Sequence, residues 1–420
     1  MCGCRSEAGS ARQALLWALI GVLWVIPSAV GTVPWSRTVG DLARYAVVLA
    51  VVVVGHELGH ALAGRMFGYR IFEISVGVGP ELIDATIGRT HLVVRPLPLA
   101  GHTMLATTRP RASRVPELLV SLAGPFTNLV MLAIALTRDL ADPWTSALAL
   151  VNGYVLIVNL LPIQVKNPLG VAFSDGRRAL DALDADDRAL VDLAAAGYVG
   201  EAYVRRTRGD HAGALRWDEE GLAAYPGNPL LAGDAAVAMI QLERYAEARA
   251  VLLRVLERDD LPPPSRAVHR NNLAWADLML GDPALLPEAL ASSAEAIGLL
   301  PGVAALQGTR GFALIEQGAI ADGLALSRKA YRSHSSPESR AASACVVAIG
   351  AARDGRAAMA ERYLVTAAKL APDHPLLPRA QAAIASLFRG ASPAAVGGLP
   401  PIGSGSLPPP PSSERLPPVP

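Results

Sequence analysis

The amino-acid sequence predicts a mainly α-helical protein, in which a polytopic helical membrane core with a small β region precedes a soluble α-helical repeat solenoid and a disordered tail. Three observations predict this fold class. Several apolar stretches in the first part of the chain are long enough to cross a lipid bilayer. Prolines that follow helical patterns recur with a period of roughly 36 residues in the second part. The chain ends in a segment too rich in proline, glycine and serine to bury a core.

The composition indicates a membrane protein of bacterial type and excludes other classes. Of the 420 residues, 51% are hydrophobic and 18% are charged, and the mean hydropathy is +0.32. The formal net charge is only +1 and no basic run is interleaved with aromatic residues, so nucleic acid is excluded as a partner. Cys2, Cys4 and Cys345 have no spacing typical of a disulfide framework or a four-thiolate metal site. Arginine far outnumbers lysine and alanine is abundant, which is typical of a GC-rich bacterial genome.

Four apolar stretches are long enough to cross a bilayer, which takes about 20 residues. They are Gln13–Val33, Tyr45–Gly64, Leu118–Thr137 and Trp144–Ile163. The first has the alternative of being a cleaved signal peptide. Its apolar run is long for a signal sequence, however, and it matches a small-residue cleavage site poorly, so we predict a retained helix. The lipid bilayer is therefore an expected partner.

Arginines predict the orientation of the membrane core. Seven lie between the second and third apolar stretches, against two in the loop before and one in the loop after. The positive-inside rule therefore places the arginine-rich loop in the cytoplasm, together with the amino terminus. Two alternating segments in this loop, RIFEISVGV and THLVVRPLPL, predict short strands near the membrane surface. We expect a multi-pass protein of the bacterial inner membrane whose repeats and carboxyl terminus are cytoplasmic.

Helical hairpins of similar length are predicted in the second part of the chain. The segment NNLAWADLMLGDPALLPEALASSAEAIGLLP has small and apolar residues at the positions typical of a tetratricopeptide repeat, which it resembles. GTRGFALIEQGAIADGLALSRKAY repeats the pattern, and two earlier segments are looser copies. Stacked hairpins of this kind present an extended surface, so we expect a protein or peptide partner on the repeats.

These features divide the chain into four predicted parts. An amino-terminal segment with the first membrane helix covers residues 1–40, and the membrane core covers residues 41–180. The tetratricopeptide-like repeats cover residues 190–388, and a proline-rich tail covers residues 389–420. We expect the tail to be an unstructured end rather than a polyproline ligand.

The second apolar stretch contains two histidines and a glutamate within VVVVGHELGHALAG. His56 and His60 are four residues apart, so on a helix both imidazoles project from one face and reach a single metal ion. Glu57 lies beside them without being a ligand, where its carboxylate can take a proton from water. Ionisable groups in a membrane span cost on the order of 3 kcal/mol each and are by default functional. We therefore predict a zinc site rather than a pair of polar residues at a helix end.

Two histidines leave a catalytic zinc site one protein ligand short. Further motifs follow in order: Gly124 and Asn128 in SLAGPFTNLVML, Asn159 in NLLP, and Asp175 with Gly176 in SDGRR. With HELGH, these motifs make the chain over about residues 41 to 180 resemble the site-2 protease family of intramembrane zinc metallopeptidases. The resemblance implies that His56, His60 and Asp175 hold one zinc ion per chain and that Glu57 is the catalytic residue.

The resemblance also implies substrate contacts for Gly124, Asn128 and Asn159. The residues themselves allow a second interpretation. A glycine and an asparagine one helical turn apart also suit close helix packing with a buried hydrogen bond. An asparagine near a helix end also suits a cap.

The chain departs from the family's pattern before Asp175. The segment IQVKNPLGVAFS intervenes between the Asn-x-x-Pro motif and this aspartate, where the family's usual spacing is shorter. Either this segment forms a loop that returns the carboxylate to the zinc, or Asp175 is not the ligand. We predict the loop, because no other acidic residue follows the fourth apolar stretch closely.

The predicted function is that of a zinc-dependent intramembrane endopeptidase, which cleaves membrane-anchored protein substrates within or near a transmembrane segment. Its cytoplasmic repeats are expected to recruit substrate or an adaptor. The alternative is a proteolytically inactive membrane-tethered scaffold that acts through its repeats. A metal or ion transporter fits poorly with such closely spaced histidines and so few membrane spans. His91 and His102 are expected to be ordinary surface histidines.

Overall fold

A computed structural model describes residues 35–107, 112–167, 170–334 and 336–389. These ranges hold fifteen α-helices and two β-sheets. The predictions for Gln13–Val33 and for nearly all of the tail concern residues outside them. The predicted class, mainly helical with a small β region and a series of helical repeats, is confirmed.

Three helices in the described part of the chain are long and apolar enough to cross a membrane. They pack against one another, and large apolar side chains on their outward faces are exposed. The last of them ends before Leu161, which is extended because it precedes Pro162. The helices are α1 (Trp35–Met66), α2 (Arg114–Leu136) and α3 (Pro143–Leu160).

A four-stranded sheet follows α1, as the alternating segments predict. Its strand order is β2–β3–β1–β4, with β1 parallel to β3 and antiparallel to β4. Successive side chains of a strand point to opposite faces. One face of this sheet packs on α1 and the other on the first helix of the repeats. The strands are β1 (Tyr69–Val78), β2 (Ile83–Ile87), β3 (Thr90–Val94) and β4 (Leu97–Thr107).

The segment between α3 and Asp175 forms a two-stranded antiparallel hairpin of β5 (Gln164–Asn167) and β6 (Gly170–Phe173). The first residue of β5 lies opposite the last residue of β6, so the two ends of the hairpin are side by side. The chain therefore leads away from the end of α3 in β5 and back to it in β6.

Ser174 closes the base of this hairpin. Its hydroxyl donates to the carbonyl oxygen of Leu161 at 2.5 Å, and its backbone N–H donates to the carbonyl oxygen of Ile163 at 3.0 Å. The same hydroxyl oxygen accepts from a backbone N–H in the first turn of α4 (Asp175–Asp184), which makes Ser174 the N-cap of that helix. The start of α4 is thereby fixed beside the end of α3.

The rest of the described chain forms five stacked helical hairpins and one further helix. Each helix packs on its hairpin partner and on the next hairpin, as in tetratricopeptide repeats. Buried alanines make up much of the core, which lets the helices approach closely. The hairpins are α5 (Asp187–Arg206) with α6 (His211–Ala224), α7 (Pro229–Gln241) with α8 (Tyr245–Leu256), α9 (Pro263–Leu280) with α10 (Leu286–Leu299), α11 (Ala304–Gln317) with α12 (Ile320–Ser333), and α13 (Pro337–Arg353) with α14 (Ala357–Leu370).

The last helix, α15 (Leu377–Arg389), does not continue the stack. It packs more on α13 than on α14, whereas each earlier hairpin meets the next mainly through its second helix. Arg379 reaches back to the third hairpin, where it donates to the carbonyl oxygen of Leu278 at 2.7 Å. The same guanidinium pairs with Glu316 at 3.0 Å and lies 5.0 Å from the centroid of the Phe312 ring. α15 therefore links the third, fourth and fifth hairpins.

The first repeat helix, α5, packs directly on the sheet. Phe72 of β1 is only 1% exposed and lies against Gly200 of α5, where a Cβ would stand 2.3 Å from the ring. Nearby, the hydroxyl of Tyr203 donates to Glu73 at 2.9 Å. A buried contact therefore joins the repeats to the membrane core, in addition to the continuity of the chain.

The Glu73 carboxylate accepts several hydrogen bonds at this contact. Besides Tyr203, His102 lies 3.1 Å and His91 3.2 Å from its carboxylate. Burial alone raises the pKa of Glu73, but the hydrogen bonds from His102 and Tyr203 outweigh burial and lower the pKa to about 2. His91 and His102 therefore support the contact between the sheet and the repeats.

Candidate metal centre and catalytic site

Gly59 brings α1 close to α2. A Cβ at this position would stand 2.3 Å from Thr127 Oγ1 and 2.8 Å from the carbonyl oxygen of Ala123, so the approach requires glycine. His56 and His60 lie between the packed helices and are 6% and 8% exposed. Two imidazoles are thus buried between helices that are long and apolar enough to cross a membrane.

Each imidazole is oriented through its Nδ1 atom. His56 Nδ1 lies 2.6 Å from Asn128 Oδ1, and His60 Nδ1 lies 2.7 Å from the carbonyl oxygen of Val120. Carbonyl-type oxygens only accept, so Nδ1 carries the proton in both rings. In a neutral ring Nε2 then carries a lone pair, and the two Nε2 atoms lie 3.2 Å apart. This is the tautomer that binds a metal ion through Nε2.

Gly124 and Asn128 of α2 shape the space around the rings. A Cβ at Gly124 would stand 2.3 Å from His60 Nε2 and 2.6 Å from His56 Nε2, so a larger residue would block the donor atoms. Asn128 is 0% exposed, and its amide donates to Asn152 Oδ1 of α3 at 3.1 Å. Gly124 thus lies against both imidazoles, and Asn128 bonds to His56 and to Asn152. The contacts of Gly124 and Asn128 with substrate stay a prediction.

Asp175 lies at the start of α4, next to both imidazoles. Its Oδ2 is 3.0 Å from His56 Nε2, and its Oδ1 is 3.4 Å from His60 Nε2. The Asp175 carboxyl group thus presents one oxygen to each imidazole, and the ionised carboxylate is the form that binds a metal ion.

Gly176 explains how Asp175 reaches this place. A Cβ at Gly176 would stand 2.0 Å from the carbonyl oxygen of Leu160, so the first turn of α4 abuts the end of α3. The β5–β6 hairpin returns the chain to this point in spite of the long intervening segment. The loop expected from the sequence is thus present, and the role of Asp175 as a ligand stays a prediction.

The three side chains fit a single metal ion. Their ligand atoms all lie within 4.8 Å of one another, and all three residues are buried. Ligand atoms bound tetrahedrally to zinc at about 2.0–2.1 Å are about 3.3 Å apart. Here the two Nε2 atoms are 3.2 Å apart, and each lies 3.0 or 3.4 Å from a different oxygen of the Asp175 carboxylate. Two imidazoles and a carboxylate are typical of catalytic zinc sites, which keep a fourth position open for water or substrate.

Glu57 lies beside these donors and is held by β4. It is 5% exposed, and Thr103 Oγ1 donates to its Oε2 at 2.7 Å. Gly101 lies against the other carboxylate oxygen, since a Cβ there would stand 2.6 Å from Oε1. Thr103 and Asn152 are not predicted from the sequence, because a threonine in an alternating segment indicates only a strand and an asparagine in an apolar stretch has no motif around it.

Asn159 lies near the end of α3. Its side-chain amide donates to the carbonyl oxygen of Val155 at 2.9 Å, one turn earlier in α3. The side chain thus bonds to its own helix, and the predicted contact of Asn159 with substrate stays a prediction.

Comparison with known proteins finds two matching families. The profile of peptidase family M50 matches residues 44–141, and a tetratricopeptide-repeat profile matches residues 206–269. The first range contains His56, Glu57, His60 and the whole four-stranded sheet. It ends before Asp175, so the third candidate ligand rests on the geometry described above.

Curated relatives match part of the membrane core. A protein of Clostridium acetobutylicum is 28% identical over 107 residues, which is 22% of this chain and 32% of the relative. One of Agrobacterium fabrum is 37% identical over 76 residues, 18% of this chain and 20% of the relative. One of Campylobacter jejuni is 30% identical over 99 residues, 20% of this chain and 27% of the relative. All three are provisionally named zinc metalloproteases. The chain spans about a third or less of the length of these relatives.

Solved tetratricopeptide-repeat structures are similar to the repeats at low identity. YrrB, a repeat protein with an unusual peptide-binding site, is 19% identical with a TM-score of 0.30, over 45% of this chain and 92% of that one. A thermophilic repeat protein of Thermus thermophilus is 20% identical with a TM-score of 0.36, over 46% of this chain and 99% of that one. The assignment of the repeats rests on the observed hairpins and on the family match.

Proposed function

We propose that this chain, which carries a peptidase family M50 (site-2 protease) domain followed by tetratricopeptide repeats, is a zinc-dependent intramembrane endopeptidase. In this proposal it cleaves membrane-anchored proteins within or near a transmembrane segment. The observation that carries the proposal is the convergence of His56, His60 and Asp175, with Glu57 beside them, among apolar helices. Zinc, when bound there, supplies Lewis acidity that polarises the scissile carbonyl group and lowers the pKa of a water molecule.

The side chains around the ion have separate tasks. Glu57 takes a proton from the attacking water as general base and then gives it to the leaving amine. Asn128 and the carbonyl of Val120 fix the Nδ1 protons of His56 and His60, so both Nε2 atoms would be available to hold a zinc ion. Burial of the cluster keeps bulk water away from these groups and strengthens their electrostatic effect.

A transmembrane helix is a poor substrate, because its amide groups are hydrogen-bonded internally and must be released before attack. β4 supports a way to hold a released segment. It is an edge strand of the sheet, paired with β1, and it passes Glu57 at Gly101 and Thr103. An extended substrate segment that pairs with this edge would present a peptide bond to the metal centre.

The repeats recruit substrate or an adaptor in this proposal. They pack on the sheet through α5, so a protein bound to them is held near the catalytic site. The sheet lies in the arginine-rich loop between α1 and α2, which the positive-inside rule assigns to the cytoplasm. We accordingly assign the chain to the bacterial inner membrane, with the repeats and carboxyl terminus on the cytoplasmic side.

The test uses the purified full chain in proteoliposomes and a single-span reporter, defined as a fluorescent protein fused to one transmembrane helix that contains Asn-Gly-Pro as a helix break. Wild type is compared with Glu57→Gln, and zinc is measured in both. We expect one zinc ion per chain in each and cleavage by wild type only. Glu247→Gln, an exposed change on α8 at the ion pair with Arg244, is the matched control and should cleave as wild type does. Equal processing by wild type and Glu57→Gln would overturn the proposal and favour a scaffold that acts through its repeats.

A further inference from the structure

We propose that Thr103 is a positioning residue for Glu57, an inference that rests on the proposed role of Glu57 as general base. Thr103 Oγ1 lies 2.7 Å from Glu57 Oε2 and 3.1 Å from the carbonyl oxygen of the same residue. A hydroxyl has one proton to donate, and the shorter contact is the one to the charged group, which is the stronger acceptor. The hydroxyl therefore fixes the direction of the carboxylate.

The opposite side of the carboxylate is bounded by the same strand. Gly101 and Thr103 are two residues apart in β4, so both face α1. A Cβ at Gly101 would stand 2.6 Å from Glu57 Oε1 and 2.8 Å from its Cγ. The Glu57 carboxylate thus occupies the space that a side chain at Gly101 would fill, with the Thr103 hydroxyl on its other oxygen.

β4 is held firmly enough to orient Glu57. Gly101 and Thr103 pair with Val76 and Ile74 of β1. The alternate residues of β4 face the repeats, where Ala106 forms a buried cluster with side chains of β1 and α5. Because the strand is fixed by its neighbour and by the helix behind it, the Thr103 hydroxyl constrains Glu57 rather than following its movement.

A threonine in a strand also has a purely structural explanation, since β-branched side chains pack well in sheets. The two explanations differ in what they require. Orientation of Glu57 requires the hydroxyl, which serine keeps and valine lacks. Packing requires the branched shape, which valine keeps and serine lacks. Thr90 of β3 offers a matched control, because its hydroxyl donates to the carbonyl oxygen of Ile71 at 3.1 Å in the same sheet.

The experiment compares wild type, Glu57→Gln, Thr103→Val, Thr103→Ser and Thr90→Val on the single-span reporter in proteoliposomes. A hydrogen bond to a charged group corresponds to a factor of about 10–100 in rate. We expect kcat of Thr103→Val to fall by that factor, with KM, zinc content and thermal unfolding midpoint unchanged. Thr103→Ser should retain most of the wild-type kcat, and Thr90→Val should match wild type.

Each contrary result has a distinct meaning. If Thr103→Val keeps the wild-type kcat while Glu57→Gln is inactive, the inference fails and the proposed function stands. If Thr103→Ser falls as far as Thr103→Val, the hydroxyl alone does not maintain kcat and the whole side chain is needed for packing, so the inference fails. A higher KM with unchanged kcat in Thr103→Val would make Thr103 a substrate contact instead. If wild type cleaves no better than Glu57→Gln, both proposals fail together.

Discussion

Asp175 Oδ2 lies 3.0 Å from His56 Nε2, although 119 positions separate the two residues in the chain. The contact joins α1 to α4 across the end of α3. It depends on a hairpin that returns the chain and on a glycine, Gly176, that lets α4 touch α3. The candidate metal centre is therefore assembled by tertiary contacts, and each contact can be tested separately.

Replacement of Asp175 by asparagine should abolish stable zinc binding. The change keeps the shape but removes the negative charge, so zinc affinity should fall by more than the roughly 10–100-fold typical of losing an outer hydrogen-bond partner. Competition with a zinc-chelating dye measures the affinity. Asp181→Asn is the control, since Asp181 pairs with Arg177 on the exposed side of the same helix. Equal zinc affinity in both variants would remove Asp175 from the ligand set.

Gly124→Ala should displace zinc without unfolding the membrane core. The new Cβ would stand 2.3 Å from His60 Nε2, so the imidazoles must move or the ion must leave. Gly153→Ala is the matched control, because a Cβ on that glycine of α3 would meet nothing within 4 Å. Zinc content and thermal unfolding of both variants are measured. Full zinc occupancy in Gly124→Ala would show that the site tolerates a side chain there.

Asn128→Ala should weaken zinc binding by about 10–100-fold, the range for loss of a partner that orients a ligating histidine. The reason is that the His56 Nδ1 proton loses its acceptor, so the ring is no longer held in one orientation. The same dye competition measures the effect. If zinc affinity is unchanged and KM for the single-span reporter rises, Asn128 acts as the substrate contact expected from the sequence.

Features with a local signature could be predicted from the sequence. The membrane helices follow from the length of their apolar stretches, and the repeats follow from a helical period. The placement of His56, Glu57 and His60 on one helix follows from their spacing. These properties depend on residues that are close in sequence, so no tertiary information is needed.

Contacts between distant residues could not be predicted in this way. Thr103 reaches Glu57 across 46 positions, and Asn152 reaches Asn128 across 24. The sequence around Thr103 or Asn152 does not indicate the hydrogen-bond partner of either residue, because that partner depends on how the strand or helix packs. The glycine at position 200 likewise carries no local sign that the first repeat helix docks on the sheet.

Gly200→Ala should weaken the contact between the repeats and the sheet. A Cβ there would stand 2.3 Å from the buried ring of Phe72, and overpacking of this kind costs about 1–3 kcal/mol. We expect a lower thermal unfolding midpoint and slower cleavage of the single-span reporter, since β4 loses support from behind. Gly298→Ala, in open space on α10, is the control. Identical behaviour of the two variants would mean that α5 does not support the sheet.

Asp218→Asn should stabilise the repeats at neutral and alkaline pH. Asp218 of α6 is 0% exposed, and burial followed by the nearby Asp234 carboxylate raises its pKa well above the usual range. The folded chain thus keeps a proton that the unfolded chain loses above about pH 4, so stability falls as the pH rises. Hydrogen exchange of α6 and α7 at pH 5 and pH 8 measures this.

The asparagine variant should lack that decline, because an amide does not titrate. Asp322→Asn, on the exposed surface of α12, serves as the control and should show the wild-type pH dependence. A variant Asp218→Asn that exchanges faster than wild type at pH 8 would contradict the assignment of a protonated Asp218.

The α15 helix changes how the repeats respond to force. A solenoid in which each hairpin contacts only its neighbours can bend along its whole length. Arg379 adds a tie between α15 and the third and fourth hairpins, which nearest-neighbour stacking does not provide. We expect this tie to stiffen the carboxyl-terminal half and to leave bending to the first two hairpins, which lie nearer the membrane core.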